Sequence, residues 1–341
     1  MRILLVSQFY PGPADPDLGA FVAQMSEALE RRGNVIERVA IDHRGGSRVR
    51  HLKLGTGAIA AARRFKPDVI YAHFLVPAGA MASLAAVSSG TPLVLTAHGQ
   101  DVRNLGSIPG VRQVTAAAVR RAGAVICVSE FLRRELVAQV PGAGPKSEVI
   151  DSGVDLELFA PADQAQARAE LGLEADGPLF LFVGSLDENK NVVRLAEAFG
   201  RIGSGQLVMV GDGPLRTPVE NVPGVKVVGR VPHDEVPRWM AAADIVCQPS
   251  MVESFGQAIL EAMACARTVV ATRNGGPPEF VTPQAGVLVD PLSTGAILEG
   301  LGTAAAMPSP NLAAREAAEP HGVDRQAERV EAVLRRVAAG G

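Results

Sequence analysis

Two glutamates, Glu253 and Glu261, are spaced so that they could contact two parts of one phosphorylated ligand. They flank the turn Phe255-Gly256, which should open a helix, and the N–H groups of a first helical turn carry about half a positive charge that attracts phosphate. Gly256 lets a ligand approach the main chain. Glu261 could accept hydrogen bonds from a ribose, whereas Glu253 precedes the helix and could contact a sugar. The alternative is one solvated glutamate before an amphipathic helix and another on the polar face of that helix.

Three more turns in the second half follow predicted strands and could serve the same ligand. The main chain at Gly184 and the ammonium group of Lys190 could meet a diphosphate. Gly211 lies in the tight turn after the next strand. Val231 follows the third strand, where free main-chain groups could contact the edge of a nucleobase. The alternatives are a surface lysine at a helix start and two structural turns.

The pattern of apolar residues predicts an α/β fold. Short runs rich in Val and Ile alternate with helix-period segments, as in parallel sheets covered on both faces. Strands are predicted at 3–7, 35–41, 68–72, 93–96, 124–128 and 147–150, and then at 179–183, 206–210, 225–228, 245–247, 269–271 and 286–288.

These strands form two tandem series, so we predict two Rossmann-like domains facing across a cleft. The domains are residues 1–157 and 158–322, because a glycine turn and a proline without helical periodicity fill 151–161. A C-terminal helix at about 323–341 could pack back on the first domain. Ligands of open α/β sheets bind beyond the carboxyl ends of strands, so each domain would seat one ligand.

Composition excludes several classes of protein. The chain has 341 residues, with 33 Lys and Arg against 36 Asp and Glu, which gives no electrostatic basis for binding nucleic acid. Three cysteines, Cys127, Cys247 and Cys265, are too far apart for a disulfide framework or a zinc site. No apolar run approaches the roughly 20 residues of a membrane span, and none resembles a signal peptide, so we expect a cytoplasmic protein.

The second half resembles the C-terminal domain of the retaining glycosyltransferases of family 4, which have the two-domain GT-B fold. The resemblance rests on FVGSLDENKNV, LVMVGDGPLR and the segment from VVGRVPHDEV to GGPPEFV. The glutamate pair with seven residues between its members is the hallmark of that family. In such enzymes the first glutamate contacts the donor sugar, the second the ribose and the lysine the diphosphate, which implies these roles for Glu253, Glu261 and Lys190.

The resemblance also implies the rest of a donor site. The implied donor-binding positions in this half are Gly184, Ser185, Lys190, Gly211, Val231, Glu253, Ser254, Phe255, Gly256, Gln257 and Glu261. Many members have an arginine where this chain has Ser185, which would leave the departing diphosphate with one fewer cation.

The first half resembles, more loosely, the acceptor domain of the same family. Its first long loop lacks the G-x-G-x-x-G of dinucleotide folds, and Gly19 with Ala20 matches the loop that approaches the donor phosphate. His98 follows a strand and matches a histidine segment at the reaction centre, although a histidine at such a place is otherwise structural. His73, Asp101 and Ser129 could contact the acceptor, with structural roles as the alternative.

The implied activity is transfer of a hexose or N-acetylhexosamine from a UDP-sugar or GDP-mannose to a hydroxyl of a glycan, a lipid-linked saccharide or a small molecule. The anomeric configuration would be retained, His98, Lys190 and Glu253 would be catalytic, and neither cofactor nor metal would be needed. A non-catalytic nucleotide-sugar-binding protein, or an epimerase or phosphorylase on the same fold, is the alternative. A nicotinamide dehydrogenase is disfavoured because the glycine fingerprint is missing.

Basic segments at 44–50 and 63–66 could make weak peripheral contact with an anionic membrane on its cytoplasmic side, or could be solvated helix faces. The sequence predicts no oligomeric state.

Overall fold

The computed structural model describes residues 1–47, 49–173 and 177–340, and the chain forms two compact units. The N-terminal unit comprises Met1–Gly153 with Val323–Gly341, and the C-terminal unit comprises Val154–Gly322. The chain first passes from the N-terminal to the C-terminal unit between Gly153 and Val154, a few residues before the predicted boundary at 157/158. Arg48, within the basic segment 44–50, lies outside the described residues.

The N-terminal unit is built on a six-stranded sheet in which every pairing is parallel. Its strands are β1 (Arg2–Ser7), β2 (Val35–Ala40), β3 (Val69–His73), β4 (Leu93–Ala97), β5 (Ala124–Cys127) and β6 (Ser147–Val149). Their order is β2-β1-β3-β4-β5-β6. Every residue of β3 and β4 is buried, as expected for central strands covered on both faces.

Six α-helices connect these strands. They are α1 (Ala20–Arg31), α2 (Val49–Phe65), α3 (Ala80–Ser89), α4 (Gln100–Ser107), α5 (Val111–Arg121) and α6 (Glu130–Gln139), with a π-helical turn at Leu75–Gly79 and a 3-10 helix at Pro141–Lys146. Buried residues of α1 include Val22, Met25 and Leu29, whose spacing of three and four places them on one stripe facing the sheet.

The C-terminal unit repeats the plan. Its strands are β7 (Leu179–Val183), β8 (Gln206–Val210), β9 (Val225–Gly229), β10 (Ile245–Gln248), β11 (Thr268–Thr272) and β12 (Gly286–Val289), in the order β12-β11-β10-β7-β8-β9. All these pairings are parallel. All twelve strands lie within two residues of their predicted limits, and the predicted class of two Rossmann-like domains is confirmed.

The helices of the C-terminal unit are short. They are α7 (Gln164–Leu171), α8 (Val192–Phe199), α9 (Arg216–Glu220), α10 (Val236–Ala242), α11 (Gln257–Ala264), α12 (Thr294–Ala305) and α13 (Leu312–Ala318), with 3-10 helices at His233–Glu235, Pro277–Glu279 and Glu319–His321.

A last helix, α14 (Val323–Ala339), belongs to the N-terminal unit and packs beside α1. Its buried residues Val330, Val333 and Leu334 join Leu29 and Tyr71 in one apolar core. The core beside the N-terminal sheet is therefore completed by a helix that follows the whole C-terminal unit in the sequence.

Candidate active site

The donor-binding residues predicted in the second half lie beyond strands of the C-terminal sheet, and two of them, Lys190 and Glu253, lie where its strand order reverses. Strands β7 and β10 pair at the centre of the sheet. Strands β8 and β9 follow on one side of β7, and β11 and β12 follow on the other side of β10. The carboxyl ends of strands at such a reversal form the usual ligand crevice of an open α/β sheet. Lys190 and Glu253 come from the segments that follow β7 and β10, so the fold places both at this point.

Lys190 and Glu253 form an ion pair. Lys190 Nζ lies 2.7 Å from Glu253 Oε2, with the two side chains 22% and 15% exposed. Ser250 Oγ donates to the same carboxylate oxygen at 3.2 Å. Ser250 lies just past the end of β10, and its role was missed by the sequence analysis because a serine in a turn carries no signal of its own. The group is preformed, with a carboxylate and an ammonium held side by side.

The turn that carries Glu253 is fixed by the segment after β11. Glu253 donates its N–H to Asn274 O at 3.0 Å, and Glu253 O accepts from Gly276 N at 2.8 Å. Between them Gly275 has φ of +120°, and a Cβ there would lie 1.9 Å from Glu253 O. Only glycine permits this approach.

Helix α11 begins directly after that turn, as predicted. Gly256 is its N-terminal boundary residue with φ of +110°, and Gln257 is its first residue. Phe255 and Ser254 are buried, with the Phe255 ring 5.2 Å from that of Phe280. The predicted main-chain donors therefore lie at a helix N-terminus beside Glu253, which suits a phosphate.

Glu261 has a different partner from Glu253. It is buried within α11, and its Oε1 lies 3.3 Å from His233 Nε2, in the 3-10 helix that follows β9 and Val231. A hydrogen on Nε2 would be donated to the carboxylate and would orient it. The sequence analysis did not single out His233, although it lies in the quoted segment VPHDEV.

The glycines after β7 and β8 are in direct backbone contact. Gly184 and Gly211 have φ of +151° and +142°, and a Cβ on Gly211 would lie 1.8 Å from Gly184 O. Ser185, which follows Gly184, is exposed. Small residues are therefore required in these turns for a structural reason, whatever ligand they contact.

A second group of predicted residues lies in the N-terminal unit, after β3 and β4. His73 Nδ1 is 3.0 Å from His98 Nε2, and the two rings lie edge to edge, with an angle of 17° between their planes and centroids 5.3 Å apart. Phe21 and Phe74 also pack on the His98 ring. Burial lowers the pKa of His73 to about 3, and burial together with His73 lowers the pKa of His98 well below its usual value. Both imidazoles are neutral at neutral pH.

Gly19 and Ala20 lie at the start of α1. Gly19 has φ of +66°, and a Cβ there would lie 2.7 Å from Phe9 O, so the loop after β1 also depends on glycine. Phe21, the next residue after Ala20, contacts His98. All four residues therefore belong to the N-terminal unit, and Ala20 is adjacent in sequence to the side chain that contacts His98.

Asp101 and Ser129 are engaged in the framework. The Asp101 carboxylate accepts N–H groups of Leu75, Gly99 and Val102 at 2.8–3.1 Å and, more weakly, that of His98. Burial raises the pKa of Asp101, against the effect of these hydrogen bonds. Ser129 is buried and its Oγ accepts from Leu132 N, which caps α6. Their contact with an acceptor stays a prediction.

Among the described residues, no group of three or more His, Cys, Asp or Glu is placed to hold a metal ion. Within the same residues no helix combines the length and the apolar character that crossing a bilayer requires.

Two family models match the chain. Residues 9–158 match the model described as Glycosyltransferase Family 4, and residues 177–305 match the one described as Glycosyl transferases group 1. The chain is 32% identical over 243 residues to the putative teichuronic acid biosynthesis glycosyltransferase TuaC of Bacillus subtilis (strain 168), a match that covers 70% of the chain and 61% of that relative. Several curated relatives are covered over only 56–63% of their length.

Solved structures have the same fold at low identity. Sucrose-phosphate synthase (tll1590) from Thermosynechococcus elongatus superposes with a TM-score of 0.83 at 24% identity, covering 100% of both chains. Anabaena Alr3699/HepE in complex with UDP and glucose superposes with a TM-score of 0.79 at 21% identity, covering 98% of this chain and 99% of that one.

Proposed function

We propose that the protein transfers a hexose or N-acetylhexosamine from a nucleotide-diphospho-sugar to an acceptor hydroxyl with retention of the anomeric configuration. The chain belongs to the family 4 glycosyltransferases and has two Rossmann-like domains of the GT-B type. The observation that carries the proposal is the preformed pair of Lys190 and Glu253 at the reversal of the C-terminal sheet, beside the N-terminus of α11. A cation and a helix N-terminus suit a diphosphate, and the fixed carboxylate suits sugar hydroxyls.

Lys190 and the first turn of α11 would stabilise the charge that develops on the departing diphosphate. An ammonium group has three N–H donors, so Lys190 can keep its bond to Glu253 and still donate to a phosphate oxygen. Glu253, held by Ser250 and by the main chain of 274–276, would accept from hydroxyls of the sugar. Glu261 would accept from the ribose, with His233 orienting it.

In the transfer itself, the bond from the anomeric carbon to the diphosphate oxygen breaks and a bond to the acceptor oxygen forms on the same face. The acceptor proton passes to the departing diphosphate oxygen. His98 would donate a hydrogen bond to the sugar or the incoming hydroxyl without acting as a base.

Retention predicts that NMR of the first product will show the anomeric configuration of the donor. Full activity in the presence of a chelator would support independence from metal.

The experiment that tests the donor site is removal of the pair. Lys190→Ala and Glu253→Ala should each lower kcat by about 10²–10³-fold, the effect of removing one charge-stabilising group from a transition state. Lys226→Ala is the matched control, because Lys226 is an exposed lysine of β9 in the same unit. Near-normal turnover in either site variant, with circular dichroism unchanged, would remove the assignment.

The nucleotide can be identified without knowledge of the acceptor. The Anabaena neighbour is described in complex with UDP and glucose, which supports a UDP-sugar, and GDP-mannose is the second candidate. A donor at 100 times its Kd should stabilise the fold by about 2.7 kcal/mol, so a thermal-shift screen should single it out. A donor that binds but is neither transferred nor hydrolysed would favour the non-catalytic alternative.

We also propose that the N-terminal unit makes peripheral contact with anionic lipid. Residues 43–129 contain eleven Lys or Arg and only two Asp or Glu, although the whole chain has 33 and 36. Helix α3 packs between α2 and α5, and this helical face exposes Leu52, Leu84, Val87 and Val114. Arg44 and Arg64 already pair with carboxylates, but α2 and α5 also carry the exposed cations Lys53, Arg63 and Arg112. Helices that present both cations and exposed apolar side chains suit an anionic bilayer surface.

Vesicle sedimentation tests this contact. The protein should pellet with vesicles of phosphatidylglycerol and phosphatidylcholine, and less with phosphatidylcholine alone. Leu84→Asp with Val87→Asp should reduce binding, whereas Leu292→Asp, an equally exposed leucine of the C-terminal unit, should not. Equal sedimentation of all three proteins would contradict the proposal.

A further inference from the structure

The hydrogen bond between the two histidines joins two neutral rings that differ in burial. His73 is 2% exposed, and its Nε2 is a buried atom with no hydrogen-bond partner among the described residues. His98 is half-buried. Its Nδ1 makes no hydrogen bond within the described chain, and this atom is not fully buried. That atom is therefore left for solvent or a ligand.

One hydrogen lies between His73 Nδ1 and His98 Nε2, and its position decides what the other edge of each ring can do. A neutral imidazole carries hydrogen on one nitrogen and a lone pair on the other. If His98 donates, His73 must carry its own hydrogen on Nε2, and His98 presents a lone pair at Nδ1. If His73 donates, its Nε2 is a bare lone pair, and His98 presents an N–H at Nδ1.

Burial favours the second arrangement. In the first, an N–H donor on His73 Nε2 would be enclosed without an acceptor, and orphaned buried N–H groups are rarer in proteins than unpaired acceptors. The space beside this ring, which Tyr71, Thr96 and His98 also line, measures about 10 Å³, the lower limit for one water molecule. At most one water molecule could therefore accept a hydrogen bond from His73 Nε2.

We propose that His73 is a positioning residue that holds His98 in the tautomer with hydrogen on Nδ1, so that His98 offers a donor and not a base to an oxygen of the bound substrate. The part that concerns the substrate rests on the proposed function. The part that concerns the tautomer does not, because it follows from burial and from the contact of 3.0 Å. The low pKa values of both histidines agree with a pair that stays neutral.

Long-range ¹H–¹⁵N NMR of the full chain with ¹⁵N-labelled histidine reads the tautomer directly. The chain has only six histidines, and His43→Asn, an exposed one, is the matched control for assignment. We expect the pattern of hydrogen on Nδ1 for His98 in the wild type. In His73→Phe, which keeps a ring but loses the donor, His98 should shift towards hydrogen on Nε2. Hydrogen on Nε2 in the wild type, or an unchanged pattern in His73→Phe, would overturn the proposal.

Kinetics with a conservative variant separates positioning from packing. In His73→Asn the amide nitrogen can stand near the place of Nδ1 and donate to His98, so both the tautomer and kcat should be largely kept. His73→Phe should lower kcat by about 10- to 100-fold, the usual effect of losing a group that orients a functional ligand, with KM for the donor nearly unchanged. Equal loss in both variants would indicate packing alone. If the wild type transfers no sugar, the proposed function fails, whereas the NMR result still decides the tautomer.

Discussion

The degree of burial decides the charge state of the side chains in the two groups of predicted residues, the histidine pair and the pair of Lys190 and Glu253. His73 and His98 lie at the ends of central strands, where removal from water keeps the rings neutral. Lys190 and Glu253 keep partial contact with water and stay paired. The same residue types at exposed positions would have none of these constraints.

The histidine pair predicts a pH dependence of stability. An unfolded histidine has a pKa of about 6.5, and His73 in the folded chain has a pKa of about 3. Below pH about 6.5 the unfolded chain therefore binds protons that the folded chain does not, so the free energy of unfolding falls as pH falls through this window. Well below pH 6.5 the contribution of His73 to this slope should approach about 1.4 kcal/mol per pH unit.

Urea unfolding at several pH values between about 4 and 6.5 measures that slope. His73→Asn should reduce it by the share of one histidine, whereas Leu84→Ala, an exposed change that removes no titrating group, should leave it as in the wild type. A slope that is the same in all three proteins would show that His73 takes up its proton in the folded state.

At the scale of elements, the site is assembled by turns that approach each other more closely than side chains allow. Gly211 meets Gly184, Gly275 meets Glu253, and Gly19 meets Phe9, each with φ in the left-handed region. The first two contacts join the segments that follow two neighbouring strands, whereas the third closes the loop between β1 and α1. Helix α11 is positioned by the same means, since Gly276 donates to Glu253 O.

Gly275→Ala should therefore damage the site out of proportion to its size. The new Cβ would lie 1.9 Å from Glu253 O, so the turn must move, and the left-handed backbone adds strain. We expect a fall of kcat similar to that of Glu253→Ala and a lower midpoint of thermal unfolding. Gly302→Ala is the control, because its Cβ meets nothing within 4 Å in helix α12, and it should be neutral or slightly stabilising. Wild-type kcat in Gly275→Ala would show that the contact does not position Glu253.

At the scale of the whole molecule, both ends of the chain build the N-terminal unit. Helix α14 places Ala327, Val330 and Leu334 in the core formed by β1, β3 and α1. Glu331, on the same helix, accepts from Arg32 and from Asn34. The core of this unit therefore depends on residues that follow the whole C-terminal unit in the sequence.

Leu334→Ala should destabilise the N-terminal unit selectively. Leu334 is fully buried, and removing such a side chain from a core costs about 2–5 kcal/mol. Hydrogen exchange should rise in β1 and β3 and stay unchanged in β7 and β8. Glu328→Ala, an exposed change on the same helix, should alter stability by less than about 0.5 kcal/mol. Equal acceleration in both sheets would show that the two units unfold as one.

The sequence by itself determined what depends on neighbours along the chain. Apolar periodicity located all twelve strands, and the turn chemistry of Phe255-Gly256 located the start of α11. The resemblance to family 4 rested on motifs that are also continuous segments, and both family models match.

Tertiary structure alone decided which functional groups meet. The pairs Lys190 with Glu253, His73 with His98 and Glu261 with His233 join residues 63, 25 and 28 positions apart. Their meeting depends on which strand ends become neighbours, and thus on β7 lying beside β10 and β3 beside β4. Strand order follows from the packing of a whole sheet and its helices, so no local pattern specifies it. Burial of the histidines, and with it their charge, has the same long-range cause.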